Sequence, residues 1–131
     1  MKPILFSEVL DFTKRALAVV VAEDLTQAIA CYNEEFKNPL DIPKGIASCT
    51  GLCIVEPNGA CILLFKYDKL CASLICHEVT HATNAMLSHI GVQKVTNSTD
   101  EVFAYHNDML FRKVAEFLLE HGVAVPLVPT K

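Results

Sequence analysis

The sequence predicts an α+β domain in which a small antiparallel or mixed sheet packs on one side against helices. Two runs over residues 46–55 and 60–67 are rich in strand-forming residues and flank a Pro-Asn-Gly turn, and this arrangement is typical of a β-hairpin. Two long segments with helical periodicity follow, over residues 68–90 and 99–121. A chain of 131 residues is long enough for one core, so we expect a single domain over the whole length.

The segments before the hairpin predict two strands and a helix. Residues 4–12 alternate loosely between apolar and polar types, which fits a strand or a short helix and favours the strand. The Val-rich run over residues 15–23 is typical of a buried strand. Asp24 or Thr26 then begins a helix that extends to about Phe36. Prolines and a glycine mark the loop that leads to the hairpin.

The two helices after the hairpin have recognisable ends. Asp68 is suited to N-cap the first helix, which extends to about Ile90. Ser98 or Thr99 is suited to N-cap the second, which ends before Gly122. The tail beyond it contains two prolines, so we expect it to be irregular.

The first of these helices carries a complete H-E-x-x-H motif, His77-Glu78-Val79-Thr80-His81. Histidines four residues apart project from the same helix face, so their neutral nitrogens can bind one Zn²⁺. Glu78 is placed to contact a water on that metal as a general base. Apolar neighbours predict a mostly buried helix, in which two histidines and a glutamate are costly unless a metal satisfies them. The alternative is a helix that carries two histidines beside a surface glutamate by chance.

A catalytic zinc needs a third protein ligand, and the second helix offers one. His89 lies about 12 Å along the helix from His81, which is too far. Glu101 is the candidate ligand, with Asp100 as its main rival. Tyr105 shares a helix face with Glu101 and is a candidate to stabilise an oxyanion or assist the metal water, although a tyrosine of the core fits the sequence as well.

The remaining histidines and cysteines are expected to be structural. His106 and His121 fall on other faces of the second helix and look like surface residues. The six cysteines lie in apolar or amphipathic stretches without a C-x-x-C pair, so we expect reduced, buried thiols. Cys76 is expected to point away from the metal face and to pack in the core.

Composition narrows the range of partners. The net charge of −4 and the lack of a Lys/Arg cluster argue against a nucleic-acid partner. The longest apolar run, residues 16–22, is far too short to span a bilayer. The N-terminus lacks the basic-then-apolar order of a signal peptide, so we expect a cytoplasmic protein without a membrane partner.

The H-E-x-x-H motif, followed about twenty residues later by the D-E-x-x-A-Y string that begins at Asp100, resembles the zincin metallopeptidases. Within them it resembles the gluzincins, and it is similar to small zinc-peptidase-like proteins encoded by tailed phages and prophages. The resemblance covers about residues 60–115 and implies a minimal zincin-like fold. It implies zinc bound by His77, His81 and Glu101, with Glu78 as general base and acid. It also implies a peptide substrate that lies antiparallel to an exposed sheet-edge strand, one of the hairpin strands.

The leading hypothesis is therefore a zinc-dependent metallopeptidase. The small size of the chain leaves little sequence for a second lobe, which favours an alternative of another class. In that alternative the chain is a metal-bearing interaction module, for instance a phage factor that binds a host protein without turnover. An amidase or deubiquitinase-like hydrolase would use the same metal chemistry.

Overall fold

The computed structural model describes residues 1–37, 39–92 and 99–129. Its strands are β1 (Ile4–Val9), β2 (Ala16–Ala22), β3 (Gly51–Val55) and β4 (Cys61–Lys66). Its helices are α1 (Leu25–Glu35), α2 (Ala72–His89) and α3 (Asp100–Glu120), and single 3-10 turns lie at Ile46–Ser48 and Tyr67–Lys69. The predicted α+β class is confirmed.

The four strands form one mixed sheet in the order β1-β2-β4-β3. β1 pairs antiparallel with β2, β2 pairs parallel with β4, and β4 pairs antiparallel with β3. The two central strands are buried along most of their length, as expected for strands covered on both faces. β1 and β3 are the edges of the sheet.

Helices cover both faces of the sheet. Because successive residues of a strand point to opposite faces, Val19 and Leu63 pack towards α2 and α3, whereas Val20 and Leu64 pack towards α1. The prediction that the helices lie on one side is therefore wrong for α1. The central strands are apolar on both faces, and the apolar side of α1 covers the second one.

The ends of the first two helices differ in how they are capped. The carboxylate of Asp24 accepts a hydrogen bond of 2.7 Å from the backbone N–H of Gln27, which confirms one of the two predicted caps of α1. The prediction that Asp68 caps α2 is wrong. Asp68 lies in the preceding 3-10 turn and pairs with Lys66 at 3.6 Å, and the N-cap residue of α2 is Cys71.

The C-terminal tail supplies the cap that Cys71 lacks. The backbone N–H groups of Ala72 and Ser73 donate to the carbonyl oxygens of Pro126 and Leu127, at 2.8 and 3.3 Å. Free N–H groups at the start of a helix need such acceptors. The tail, irregular as expected, is thereby fixed across the N-terminal end of α2.

α3 runs antiparallel to β1 and to α2. Lys113 forms an ion pair of 2.7 Å with Glu8, and the rings of Phe117 and Phe6 lie 5.6 Å apart, so later residues of α3 meet earlier residues of β1. The hydroxyl of Thr83 in α2 donates to the side-chain oxygen of Asn107 in α3 at 2.8 Å. This contact shows that Thr83 and Asn107 lie opposite each other on the two helices.

The long apolar run of the sequence is β2, a central strand of the sheet. Over residues 1–37, 39–92 and 99–129, no helix combines the length and the apolarity that a membrane crossing requires.

Candidate metal centre

The structure brings His77, Glu78 and His81 together on α2. Their ligand-type atoms all lie within 4.8 Å of one another. The two Nε2 atoms of the histidines are 3.3 Å apart, and Nε2 of His77 is 4.0 Å from Oε2 of Glu78. The spacing of four residues along a regular helix produces this convergence without help from another element.

The distance between the two histidine nitrogens fits a single metal ion. Two nitrogens bound to one tetrahedral Zn²⁺ at about 2.0–2.1 Å each lie roughly 3.3 Å from each other. His77 and His81 stand at that separation, and imidazole and carboxylate groups are ordinary donors for zinc. The three residues could therefore hold a metal ion.

Glu78 is buried and the two histidines are exposed. The side chain of Glu78 is 7% exposed, whereas that of His77 is 66% exposed. The helix turns Ile75 and Val79 towards the sheet, which leaves the histidines on its outer side. The expectation that all three groups are buried is thus wrong for the two histidines. Of the three, only Glu78 is a polar group whose burial costs free energy unless a partner such as a metal ion compensates for it.

Glu78 is covered by the start of the edge strand β3. A Cβ atom at Gly51 would lie 3.3 Å from both Cγ and Oε2 of Glu78 and 2.9 Å from Cδ1 of Leu74. Glycine at this position therefore allows the strand to approach the glutamate closely. Burial raises the pKa of Glu78 above its ordinary value, and the nearby His77 and His81 lower it in part. A raised pKa favours proton uptake by a carboxylate, which is the property that a general base uses.

A cleft of about 430 Å³ lies between β3 and the first turns of α2. It extends from His77 and Glu78 to the C-terminal tail, and the residues that border it include Thr50, Gly51, Lys69, His77, Glu78 and Pro129. The cleft therefore gives a ligand access to Glu78 from one side of the helix.

Cys76 lies next to the site and is exposed. It lines a shallow groove together with His77, Thr80 and His81, and its carbonyl accepts a hydrogen bond of 2.8 Å from the hydroxyl of Thr80. The expectation that Cys76 packs in the core is wrong, because the outer side of α2 is wide enough to include it.

The predicted third ligand, Glu101, is not brought to the histidines. It lies exposed in the first turn of α3, as does its rival Asp100. Thr83 and Asn107 are hydrogen-bonded and therefore lie at the same height on the two helices. Glu101 lies six residues before Asn107 and His81 lies two residues before Thr83. Because the helices are antiparallel, these offsets add, and Glu101 is about 12 Å from His81 along the helix axes. A ligand role for Glu101 requires the first turn of α3 to come much closer to His81.

The predicted catalytic Tyr105 also lies apart from the group. It is 71% exposed and borders an apolar cavity of about 350 Å³ with Phe12 of the β1–β2 turn. Tyr105 lies two residues before Asn107, about 200° away around the helix, so it points away from α2.

Sequence reasoning missed the burial of His106. The prediction that His106 lies at the surface is wrong, since it is 4% exposed, whereas His121 is exposed as predicted. The Nε2 atom of His106 has no hydrogen-bond partner among the residues that the structure describes, and burial lowers the pKa of the His106 ring. The helix face shared with Leu110 and Phe117 was a signal that could have revealed it.

The six cysteines are free, as expected, but only two of them, Cys61 and Cys71, are buried. The neighbouring thiols of Cys53 in β3 and Cys61 in β4 influence each other, which raises the pKa of Cys53 and lowers that of Cys61. The thiol of Cys61 donates to the carbonyl oxygens of Gly59 and Ala82, at 3.7 and 4.0 Å. These two thiols pack under α2, and neither belongs to the group that could hold a metal.

The fold and the site together define an α+β domain with an H-E-x-x-H group at the surface of a helix, beside an edge strand. In comparisons with known proteins, no family model, no curated protein and no solved structure matches the chain.

Proposed function

We propose that the protein is a zinc-dependent peptidase whose reactive group is His77, Glu78 and His81. The observation that carries the proposal is the separation of 3.3 Å between the two histidine Nε2 atoms, next to a buried glutamate. Two nitrogen donors, a carboxylate with a raised pKa and an adjoining cleft are the parts that metal-assisted hydrolysis needs.

Each residue of the group has a distinct role in this proposal. His77 and His81 would hold the ion through their Nε2 atoms. A bound Zn²⁺ supplies Lewis acidity, which polarises a substrate carbonyl and makes a water molecule more acidic. Glu78 takes a proton from the attacking water and passes it to the leaving amine. The new C–O bond replaces the C–N bond, and the products are a carboxylic acid and an amine.

The edge strand β3 is the proposed support for a peptide substrate. Among the described residues β3 pairs only with β4, so its other edge is available to add an extended chain. Its first residue, Gly51, packs against Glu78, so a peptide along this edge would run past the general base. β3 is one of the two hairpin strands, and the resemblance to zincins implies that the substrate lies along one of these strands.

Glu101 and Tyr105 remain candidates for the third ligand and for oxyanion stabilisation. The resemblance to gluzincins supports Glu101, and its distance from His81 weighs against it. In the proposal His77 and His81 supply two of the three protein ligands of a catalytic zinc, and Glu101 is the candidate for the third.

The variant Glu78→Gln tests the proposal. We expect it to retain zinc, because both histidines remain, and to lose peptide hydrolysis by about 10²- to 10⁴-fold, because the amide cannot accept the proton. Zinc content is measured by mass spectrometry, and cleavage is measured on a proteome-derived peptide mixture by labelling of new termini. Glu116→Gln, an exposed change on α3, is the matched control. Hydrolysis by Glu78→Gln at the wild-type rate would refute the assignment.

The alternative function is a metal-bearing interaction module, and one observation favours it. His77 and His81 lie in a shallow groove on the exposed face of α2, where a partner protein could cover them. A partner that is retained uncleaved by the wild type and by Glu78→Gln alike would support this alternative. Cleavage of that partner by the wild type alone would support the peptidase.

A further inference from the structure

The cleft beside Glu78 has one cationic side chain at its far end. Lys69 borders the cleft at the close of the 3-10 turn that precedes α2. None of the ion pairs among the described residues involves Lys69, whereas its neighbours Lys66 and Asp68 pair with each other. Its ammonium group is thus available to a ligand in the cleft.

The same end of the cleft is bounded by the C-terminal tail. The carbonyls of Pro126 and Leu127 are tied to the first N–H groups of α2, and Pro129 borders the cleft. A peptide that lies along β3 and passes Glu78 would therefore meet the tail beyond Gly51. The tail restricts how far a substrate can extend in this direction.

The length of the cleft sets the position of the substrate's end. Cys71, which borders the cleft near Lys69, precedes His77 by six residues, so the two ends of the cleft are about 9 Å apart along the helix axis. An extended peptide covers about 3.3–3.6 Å per residue. Two or three substrate residues therefore fit between the reactive group and Lys69.

We propose that the substrates are peptides with a free C-terminal carboxylate, held by Lys69 within two or three residues of the bond that is cleaved. This inference rests on the proposed peptidase function and specifies its substrate class. A carboxylate complements the ammonium group of Lys69, whereas the free amino group of a peptide N-terminus is repelled by it. The hydroxyl of Ser73 also borders the cleft and can donate to the carboxylate while it accepts from the thiol of Cys71, which lies 3.3 Å away.

Matched peptides test the proposal. Zinc-loaded protein is incubated with random-sequence hexapeptides that are N-acetylated and prepared either as free acids or as C-terminal amides. We expect the acids to be cleaved about 10- to 100-fold faster, as for a hydrogen bond to a charged group, and to release fragments of one to three residues from the C-terminus. Equal cleavage of acids and amides, or release from the N-terminal end, would overturn the inference and leave the peptidase proposal standing. Failure to cleave either set would count against the peptidase proposal itself.

Substitutions at Lys69 make the test specific. Lys69→Met should remove the preference for acids over amides, and Lys69→Arg should keep it. Lys44→Met, an exposed lysine outside the cleft, is the control and should behave as the wild type. A preference that survives in Lys69→Met would contradict the role of this residue.

A binding experiment provides a readout that is independent of turnover. In the Glu78→Gln background, N-acetyl-trialanine and its amide are titrated by NMR. We expect the acid to bind at least about tenfold more tightly, and the difference to vanish when Lys69→Met is added. Equal affinities of acid and amide in the Glu78→Gln protein would overturn the inference.

Discussion

The two helices on the same face of the sheet, α2 and α3, present their polar groups in opposite ways. On α2, two exposed histidines converge and a buried glutamate stands beside them. On α3, Glu101 and Tyr105 share an exposed face, and the buried titratable group is His106. α3 lies against the edge strand β1 and α2 against the edge strand β3, and the cleft between β3 and α2 opens onto Glu78.

The difference teaches which features of a site one helix can build alone. The convergence of His77 and His81 depends only on the helix repeat. The approach of a residue from α3 depends on how the two helices slide past each other, and apolar packing of Leu110, Val114 and Phe117 against the sheet determines that register. Substitutions on the two helices should therefore have unequal effects on metal binding and catalysis.

The largest effect is expected at the histidines of α2. His77→Ala or His81→Ala should weaken zinc binding by at least about 100-fold, because each change removes one of the two nitrogen donors. Competition with a zinc-binding dye measures the affinity. His89→Ala, which alters an exposed histidine of the same helix, should keep the wild-type affinity. If His89→Ala were as damaging as the other two, the ion would not be bound by the H-E-x-x-H group.

The second effect is expected where β3 meets α2. Gly51→Ala would place a methyl group 2.9 Å from Leu74, which must shift, and 3.3 Å from Glu78, which must give by a few tenths of an ångström. We expect hydrolysis to fall by about 10- to 100-fold, as for a misplaced catalytic group, while zinc affinity stays within threefold of the wild type.

A second variant separates these two clashes. Gly51→Ala combined with Leu74→Ala relieves the contact with Leu74 and retains the contact with Glu78, so hydrolysis should stay low. Full recovery of hydrolysis in the double variant would show that the position of Glu78 does not depend on Gly51.

The third effect, at the first turn of α3, is expected to be smaller. Because Glu101 lies about 12 Å along the helix axes from His81, Glu101→Gln should weaken zinc binding by less than about tenfold, and Asp100→Asn should not change it. The same dye competition measures both. A loss in Glu101→Gln as large as that in His77→Ala would break the contrast between the helices and would establish Glu101 as the third ligand that the sequence predicts.

The fold and the site were predictable to different depths. The hairpin, the strand β2 and all three helices follow from local signals, such as the Pro-Asn-Gly turn and the cap at Asp24. The placement of α1 on the second face and the cap of α2 by the tail depend on contacts between distant segments, which local patterns do not encode. For the same reason the sequence identified the group on α2 but could not determine how far Glu101 lies from it.

The smallest effect concerns His106, the buried titratable group of α3. Burial lowers the pKa of His106 below its usual value of 6.5, and the side chains that border the adjoining cavity, Phe12, Val102, Tyr105 and Met109, carry no charge at neutral pH to offset this. The unfolded chain therefore binds a proton more readily than the folded one. The contribution of His106 to the free energy of unfolding should be fully present above the usual pKa of about 6.5. It should decrease as the pH falls from about 6.5 towards the lower pKa of His106 in the folded protein, by at most about 1.4 kcal/mol per pH unit for one proton.

His106→Phe isolates this contribution. Nε2 of His106 has no hydrogen-bond partner among the described residues, so replacing the imidazole by a phenyl ring breaks no hydrogen bond of that atom. The cavity beside His106 leaves room for the larger ring. We expect the free energy of unfolding at pH 8 to stay within about 1 kcal/mol of the wild type. Urea unfolding between pH 8 and pH 5.5 should then show a smaller loss of stability for the variant than for the wild type. His121→Phe, at an exposed position after the same helix, should keep the wild-type pH dependence. Identical profiles for the wild type and His106→Phe would mean that His106 is as readily protonated in the folded protein as in the unfolded chain.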